Sequence, residues 1–466
     1  MATVSLTAAD VAAATGGRIV SGNPSTPIER VSIDSRTLAA GDFFIAIRGE
    51  RFDGHAFARD AVGKGASGVL VEQATAAGDA GTTVVIEVAD TTRALQDVAR
   101  FVRRKAGARI VAITGSAGKT TTKEICAEML SAKFRVFRNK GNLNNHIGLP
   151  LSLLELRSGP DVAVVELGMN HPGEIQTLVS IAEPEVRVWT NVGDAHIGFF
   201  ESAESIADAK GELLHGARPD DVLVANADDA RVMVRATRFA GRLVTFAIEA
   251  AADVKATSVE MRGLEGTRAT VRTPAGEFQM QTPLLGLGNL ANVLAATAVA
   301  VTLGVPVSAI AERASALRAA HHRGELLRLP GGITLIDDSY NSSPTALMRS
   351  LETVGAATGS ARKIAVLGEM LELGAHAARL HQECGRAAAA AGLQFLIAVG
   401  GDAAGELAGA AVRSGMTAAN VVHVPSKAEA TALALQRVRP GDLVLVKGSR
   451  GIGLDAVVER LTAEFA

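Results

Sequence analysis

A chain of 466 residues has room for about three domains at ~150 residues each. Its 48% hydrophobic and 21% charged residues exclude a disordered chain, and a net charge of −2 gives no electrostatic ground for nucleic acid or an anionic membrane as partner. Two cysteines, Cys126 and Cys384, are too few for a disulfide framework and suit a reducing compartment.

The opening "MATVSLTAADVAAATGG" shows no basic segment followed by a leucine-rich core, so a soluble, cytoplasmic protein is expected, and with no sustained interface pattern in the sequence a monomer. The first part is rich in short β runs: "DFFIAIRG" (42–49), "GVLVEQ" (68–73) and "TTVVIEV" (82–88), punctuated by glycine and aspartate. "TTRALQDVARFVRRK" has helical spacing and leads into "ARIVAIT", a buried-strand pattern that ends at a glycine loop. Strand runs then recur at "DVAVVELG", "VRVWTNVG" and "DVLVANAD", with amphipathic stretches between them. That alternation predicts a parallel sheet covered by helices. "TRATVRTPAGEFQMQTP" alternates across a turn and predicts an antiparallel insert. "LANVLAATAVAVTLGVPVSAIA" carries Asn292 and Pro306, which favours a buried helix plus a second segment over a membrane span. A second alternating series runs through "ITLIDDS", "KIAVLGEM", "QFLIAVGG", "NVVHVP" and "DLVLVKGS". The predicted class is α/β with three domains. These are a small N-terminal domain over 1–88, a central P-loop domain with the antiparallel insert over 89–318, and a Rossmann-like domain over 319–466.

The glycine loop is "TGSAGKTTT", Thr114 to Thr122. A strand, a glycine-rich turn and a helix together aim backbone N–H groups at phosphate, helped by the helix N-terminus. Gly115 and Gly118 would allow close approach, Lys119 would reach the β/γ-phosphates, and Thr120 would hold Mg²⁺. The usual G-x-x-x-x-G-K-[ST] spacing is not met, because Ile113 stands where the first glycine belongs. An ordinary strand-to-helix turn is the bland alternative; the departure otherwise points to a family with a shorter loop.

Glu166 closes a predicted strand, where open α/β sheets place their ligands, and His196 follows the next one. A lone histidine is more often structural than a ligand. Lys210, in "IADAKGELL", reads by itself as a solvated surface lysine. Asp228 and Asp229 suit loop caps as well as ligands. "LIDDSYNSSP" sets Asp337 and Asp338 at a strand end, as turn-formers or as ribose or metal contacts. "LVKGSRG" directs Lys447, Ser449 and Arg450 towards an anionic ligand, with a strand-ending turn as the alternative.

Together these pieces resemble the Mur ligases of bacterial cell-wall synthesis, whose own loop variant "TGSAGKTTT" is. The likeness covers nearly the whole chain. "DSRTLAAGDFFIAIRGERFDGHAF" (34–57) looks like the family's UDP-binding domain, which implies substrate contacts at Ser35, Arg36, Asp53, Gly54 and His55. "NKGNLNNHIGLP" (139–150) is similar to its central substrate loop, which adds Asn142 and Asn145. "LIDDSYNSSP", "LGEMLELG" and "VKGSR" look like the member acting last in the series, and bring Lys447 and Ser449 into the substrate set. The "DNPR" motif typical of the preceding member does not occur, and the UDP-type domain argues against folylpolyglutamate synthase.

The resemblance implies ATP-driven joining of D-Ala-D-Ala to UDP-MurNAc-tripeptide through an acyl phosphate, in peptidoglycan synthesis. Another ATP-dependent amino-acid ligase of the superfamily and a P-loop switch ATPase are the competing readings. It implies an ATP site of Thr114, Gly115, Ser116, Ala117, Gly118, Lys119, Thr120 and Thr121, completed by Asn292 near adenine, Arg323 on the phosphates and Asp338 on the ribose. It makes Thr120, Glu166, His196 and Lys210 ligands of two Mg²⁺ ions, Lys210 as a carbamate, and gives catalytic roles to Lys119, Lys210, His196 and Arg323. Two positions depart from the family: Gly288 where histidine is common, and His322 where glycine is usual. Closure about a hinge near 315–325 is expected.

Overall fold

The computed structural model describes residues 4–49, 51–139, 141 and 143–466, and three α/β sheets follow one another along the chain. This is the three-domain α/β class expected from the sequence. By compactness the chain divides into two units. One is Met1–Ala112 with Phe134–Met169 and Gly173–Val186; the other is Ile113–Lys133 with Asn170–Pro172 and Arg187–Ala466.

In the first unit, β1 (Arg18–Ser21), β2 (Val31–Ser32), β3 (Phe43–Ile45), β4 (Gly68–Val71) and β5 (Val84–Glu87) assemble in the order β1-β5-β4-β3-β2. Only β1 is antiparallel to its neighbour. β3 and β4 are buried along their whole length, which explains apolar runs without a polar alternate. The helix Thr91–Ala106 follows because Asp90 accepts from Arg93 N, Gly107 ends it at φ 64°, and Leu95, Val98, Ala99 and Val102 fall on one buried face. Such a cap is worth about 1 kcal/mol. The same unit holds β6 (Arg109–Thr114, running into the second unit at its last two residues), β7 (Val136–Arg138) and β8 (Val162–Glu166), in the order β6-β8-β7.

The second unit carries β9 (Val186–Trp189, its first residue belonging to the first unit), β10 (Val222–Asn226), β11 (Arg242–Ala247), β12 (Val254–Met261), β13 (Thr267–Thr273) and β14 (Gly276–Thr282), with β14-β13-β12-β11-β10-β9 as neighbours. β10, β11 and β12 run parallel, and β12 to β14 antiparallel. The alternating "TRATVRT…GEFQMQT" hairpin is therefore a sheet edge and not a separate body. The apolar window forms the helix Gly286–Thr302 and a second helix, Val307–Ser315, after Pro306.

The last sheet comprises β15 (Glu325–Leu329), β16 (Ile333–Asp338), β17 (Lys363–Gly368), β18 (Phe395–Val399), β19 (Val421–Val424) and β20 (Leu443–Lys447), ordered β15-β16-β20-β17-β18-β19. β20, last in the chain, enters between β16 and β17 and sets Asp338 opposite Lys447. Ile333, Leu335, Ile364, Val366, Ile397, Val444 and Val446 form part of its core. Each such buried side chain stabilises by roughly 1.5–3 kcal/mol. Every strand named from the sequence is present; β1, β2, β7, β11, β12 and β15 were not read from it. Among the described residues no helix is long and apolar enough to cross a membrane.

Candidate functional site

The glycine loop lies between β6 and the helix Lys119–Leu130, and the segment after β9 cradles it. Thr190 N donates to Thr114 O (3.0 Å), Ser116 N to Asn191 O (3.0 Å), and Ala117 N to Asn191 Oδ1 (2.9 Å). Ser116 Oγ donates to Gly193 O (3.1 Å), and the Thr190 hydroxyl donates to Ala117 O (2.8 Å). Both glycines are sterically required. A Cβ on Gly115 would lie 1.9 Å from Thr190 Oγ1, and one on Gly118, at φ +81°, would lie 2.3 Å from Asn292 Oδ1. Gly118 is the N-cap of the helix and offers no side-chain cap, and the helix N-terminus carries the positive end of its dipole. Lys119 Nζ donates to Gly115 O at 2.8 Å, within the loop itself.

Asn292 supports the loop from below. Its Oδ1 accepts from the Thr122 hydroxyl (3.2 Å), and its amide donates to Asn289 Oδ1 (3.2 Å). The family likeness implies an adenine contact; the amide here is engaged with the loop's own scaffold. Gly288 sits against Arg349, whose Cδ would lie 3.1 Å from an added Cβ, so Arg349 takes the room a histidine would need.

Lys210 corrects the surface reading. It is only 1% exposed, and burial, then the positive charge of Lys119, holds its amine well below the usual lysine range. The neutral amine is the species that can add CO₂, and burial favours that form, so the position fits a carbamate. His196 stands at φ 65°, with Nδ1 2.5 Å from Glu372 Oε2. Glu372 is itself at φ 66°. Left-handed backbone costs a non-glycine residue roughly 1–2 kcal/mol, so packing on both sides must hold the pair. The Glu372 carboxyl lies below the usual carboxylate range, mainly through its hydrogen bond with His196. An ionised carboxylate accepts, which puts a proton on Nδ1.

Arg323 stacks on Tyr340, its Cζ 4.0 Å from the ring centroid, with Arg450 on the same ring at 5.6 Å. His322 adopts φ 60° in spite of its side chain, because Nδ1 is 2.6 Å from the buried Asp337 and its carbonyl accepts from Tyr340 N (3.1 Å). The histidine thus replaces the glycine by anchoring to Asp337. Asp338 is bound to Lys447 Nζ (2.7 Å) and the Ser350 hydroxyl (2.9 Å). Lys447 is turned inward at 3% exposure, and Ser449 Oγ accepts from Leu371 N (2.9 Å). Asp229 caps the helix Ala230–Ala236 and Asp228 accepts from the backbone of 248–250, so both are caps.

In the first unit Glu166 is 4% exposed. Asn144 Nδ2 donates to its Oε1 (2.8 Å), and its backbone N donates to Asn139 Oδ1 (3.2 Å). Asn145 accepts from Gly148 N (2.8 Å) at a helix start, and Asn142 lies outside the described residues. Asp53 Oδ1 is 2.6 Å from His55 Nδ1, while His55 Nε2 accepts from Glu72 N (3.1 Å). Gly54 is needed where a Cβ would sit 2.7 Å from Ile47 N. Ser35 O accepts from Lys64 Nζ (2.5 Å), and Arg36 pairs with Asp34 (2.7 Å). The sequence reading missed Asn144, Asn191 and Glu372. The asparagines lie inside motifs already quoted, but nothing local marks which of them turns inward.

Fold and loop together define the class: an α/β protein with a strand, glycine turn and helix of the kind that binds phosphate. Profiles of the Mur ligase family match this chain: the catalytic domain at 27–103, the middle domain at 113–300 and the glutamate ligase domain at 322–450. It is 33% identical over 436 residues to the UDP-N-acetylmuramoyl-tripeptide–D-alanyl-D-alanine ligase of Bacillus subtilis, covering 94% of this chain and 93% of that one. A crystal structure of MurF from Acinetobacter baumannii aligns with TM-score 0.89 at 31% identity, over 99% of this chain and 100% of that one. MurF ligase from Thermotoga maritima in complex with ADP aligns with TM-score 0.82 at 29% identity, over 94% and 98%. The chain belongs to the Mur ligase family.

Proposed function

We propose that this protein is an ATP-dependent ligase that joins D-Ala-D-Ala to UDP-MurNAc-tripeptide, yielding the pentapeptide precursor of peptidoglycan. The observation that carries the reading is the glycine loop. Its two glycines admit no Cβ, its helix start has no side-chain cap, and a buried lysine of lowered basicity lies within the field of Lys119. The relatives' names supply the substrates.

The tripeptide's terminal carboxylate is a poor electrophile. One of its oxygens bonds to the γ-phosphorus of ATP while the bond to the β–γ bridging oxygen breaks, releasing ADP and leaving an acyl phosphate. The D-Ala-D-Ala amine then bonds to the acyl carbon, phosphate departs with the electrons of its C–O bond, and the nitrogen loses a proton. The chain's part is positioning and charge neutralisation. Lys119 and the helix start at Gly118 would face the phosphates, and Arg323, whose guanidinium stacks on Tyr340, would add a further positive charge. Thr120 would hold one Mg²⁺, and His196 Nε2 with a Lys210 carbamate a second; such ions neutralise charge on the transferring phosphoryl group. Asp338, tied to Lys447, would hold the ribose of ATP. The substrate's UDP end falls to the N-terminal domain, up to about residue 88, at Ser35, Arg36 and the Asp53–His55 turn, in a cytoplasmic monomer.

The test is phosphate release with ATP, Mg²⁺ and UDP-MurNAc-tripeptide, with and without D-Ala-D-Ala, alongside product mass. Release that needs all four, with the tripeptide heavier by one D-Ala-D-Ala, is expected. Equal release without the dipeptide refutes the ligase and leaves a switch-type ATPase.

A further inference from the structure

Two loops of the second unit interlock behind His196. Gly198 N donates to Glu372 O at 2.8 Å, and a Cβ on Gly198 would lie 2.6 Å from Gly374 N, so the two backbones touch. The partner loop is itself held firmly. Glu369 N donates to Val399 O (2.8 Å), Met370 N to His381 Nε2 (2.9 Å), and Leu371 N to Ser449 Oγ (2.9 Å). Met370 and Leu373 are buried at 1% and 2% exposure. Glu372 therefore leaves a fixed loop, and its carboxylate lies 2.5 Å from His196 Nδ1.

His196 lies in the stretch matched by the middle-domain profile, Glu372 in that matched by the glutamate ligase domain. We propose that Glu372 is a positioning residue for His196: it holds the Nδ1–H tautomer and aims Nε2, so that the cation site is complete only while the 369–374 loop is docked on 196–198. The inference rests on His196 being a metal ligand, as read above. Its physical basis is general. A carboxylate behind a ligating histidine fixes the ring and its tautomer, and removing such a partner weakens metal binding about 10- to 100-fold. The additional content is that the carboxylate comes from the other segment, which ties metal binding to docking.

The experiment uses the full chain with Mn²⁺ as probe and a non-hydrolysable ATP analogue. Free Mn²⁺ is read by electron paramagnetic resonance, and the His196 tautomer by ¹⁵N-histidine NMR, assigned by the loss of one signal in H196A. The wild type should show Nδ1–H at His196. E372A should populate Nε2–H and lower Mn²⁺ affinity about 10- to 100-fold, as H196A does, with E372Q between E372A and wild type. Unchanged tautomer and Mn²⁺ affinity in E372A, with weakened binding in H196A, overturn the proposal alone. Unchanged Mn²⁺ binding in H196A rejects the ligand reading, and this proposal with it. Should E372A not fold, E372Q decides, and wild-type affinity there overturns the proposal.

Discussion

Substituting Gly118 by alanine tests whether the loop and Asn292 act as one unit. The new methyl would lie 2.3 Å from Asn292 Oδ1, and the residue would have to keep φ +81°. The backbone contributes roughly 1–2 kcal/mol of strain. Asn292 cannot swing away freely, since it is 8% exposed and bonded to Thr122 and Asn289. Displacing it forfeits about two hydrogen bonds at roughly 0.5–1.5 kcal/mol each, so G118A should cost about 2–5 kcal/mol. Asn292→Ala alone should cost about 1–3 kcal/mol, through the Thr122 hydroxyl left unpaired in the interior. In the double variant the clash is gone and only backbone strain adds to the cost of N292A. The two losses should therefore fall short of additivity by about 1–3 kcal/mol. The assay is urea unfolding of the four proteins of the cycle, paired with equilibrium binding of a fluorescent ATP analogue. G118A should also weaken nucleotide binding, because the helix start moves. Strict additivity in stability would refute the idea that Asn292 buttresses the loop through Gly118.

Lys210→Met keeps the volume and removes a buried amine, so its melting temperature should match the wild type while ATP-dependent ligation falls by at least about 100-fold; ligation within a few-fold of wild type would remove Lys210 from the mechanism. His381 is buried, and desolvation holds its pKa below 6.5, with Nε2 accepting from Met370 N. The unfolded chain then takes up a proton that the fold refuses, so stability is lost as pH falls from 6.5 towards the folded value and is flat above. Unfolding free energies across that window should show a shallower slope in His381→Gln, and equal slopes would contradict the assignment. Burial pushes the Cys126 thiol far up and Cys384 to about 12. Neither should be alkylated by iodoacetamide in the native protein, and both should be in urea. Mass spectrometry reads this, and rapid native labelling would count against it.

Short-range pattern carried much of this protein in its sequence. Buried strands read as unbroken apolar runs, Asp90 and Gly107 bracket a helix, and Pro306 separates two others. Gly-Lys-Thr between a strand and a helix marks the glycine loop as a candidate phosphate site. These features depend on residues a few positions apart, where backbone geometry allows few arrangements. The tertiary structure decided what depends on sheet order and burial. Asp338 meets Lys447 because β20 inserts beside β16, a neighbour relation across 109 positions that no local spacing records. Lys210 reads as a surface lysine until packing takes it out of water, and that desolvation changes its chemistry. His322 tolerates a glycine's conformation because Asp337, 15 residues on, returns to its ring. His196 reaches Glu372 across 176 positions, since the partner of a polar group is chosen by the fold's three-dimensional neighbours and not by its neighbours in the chain.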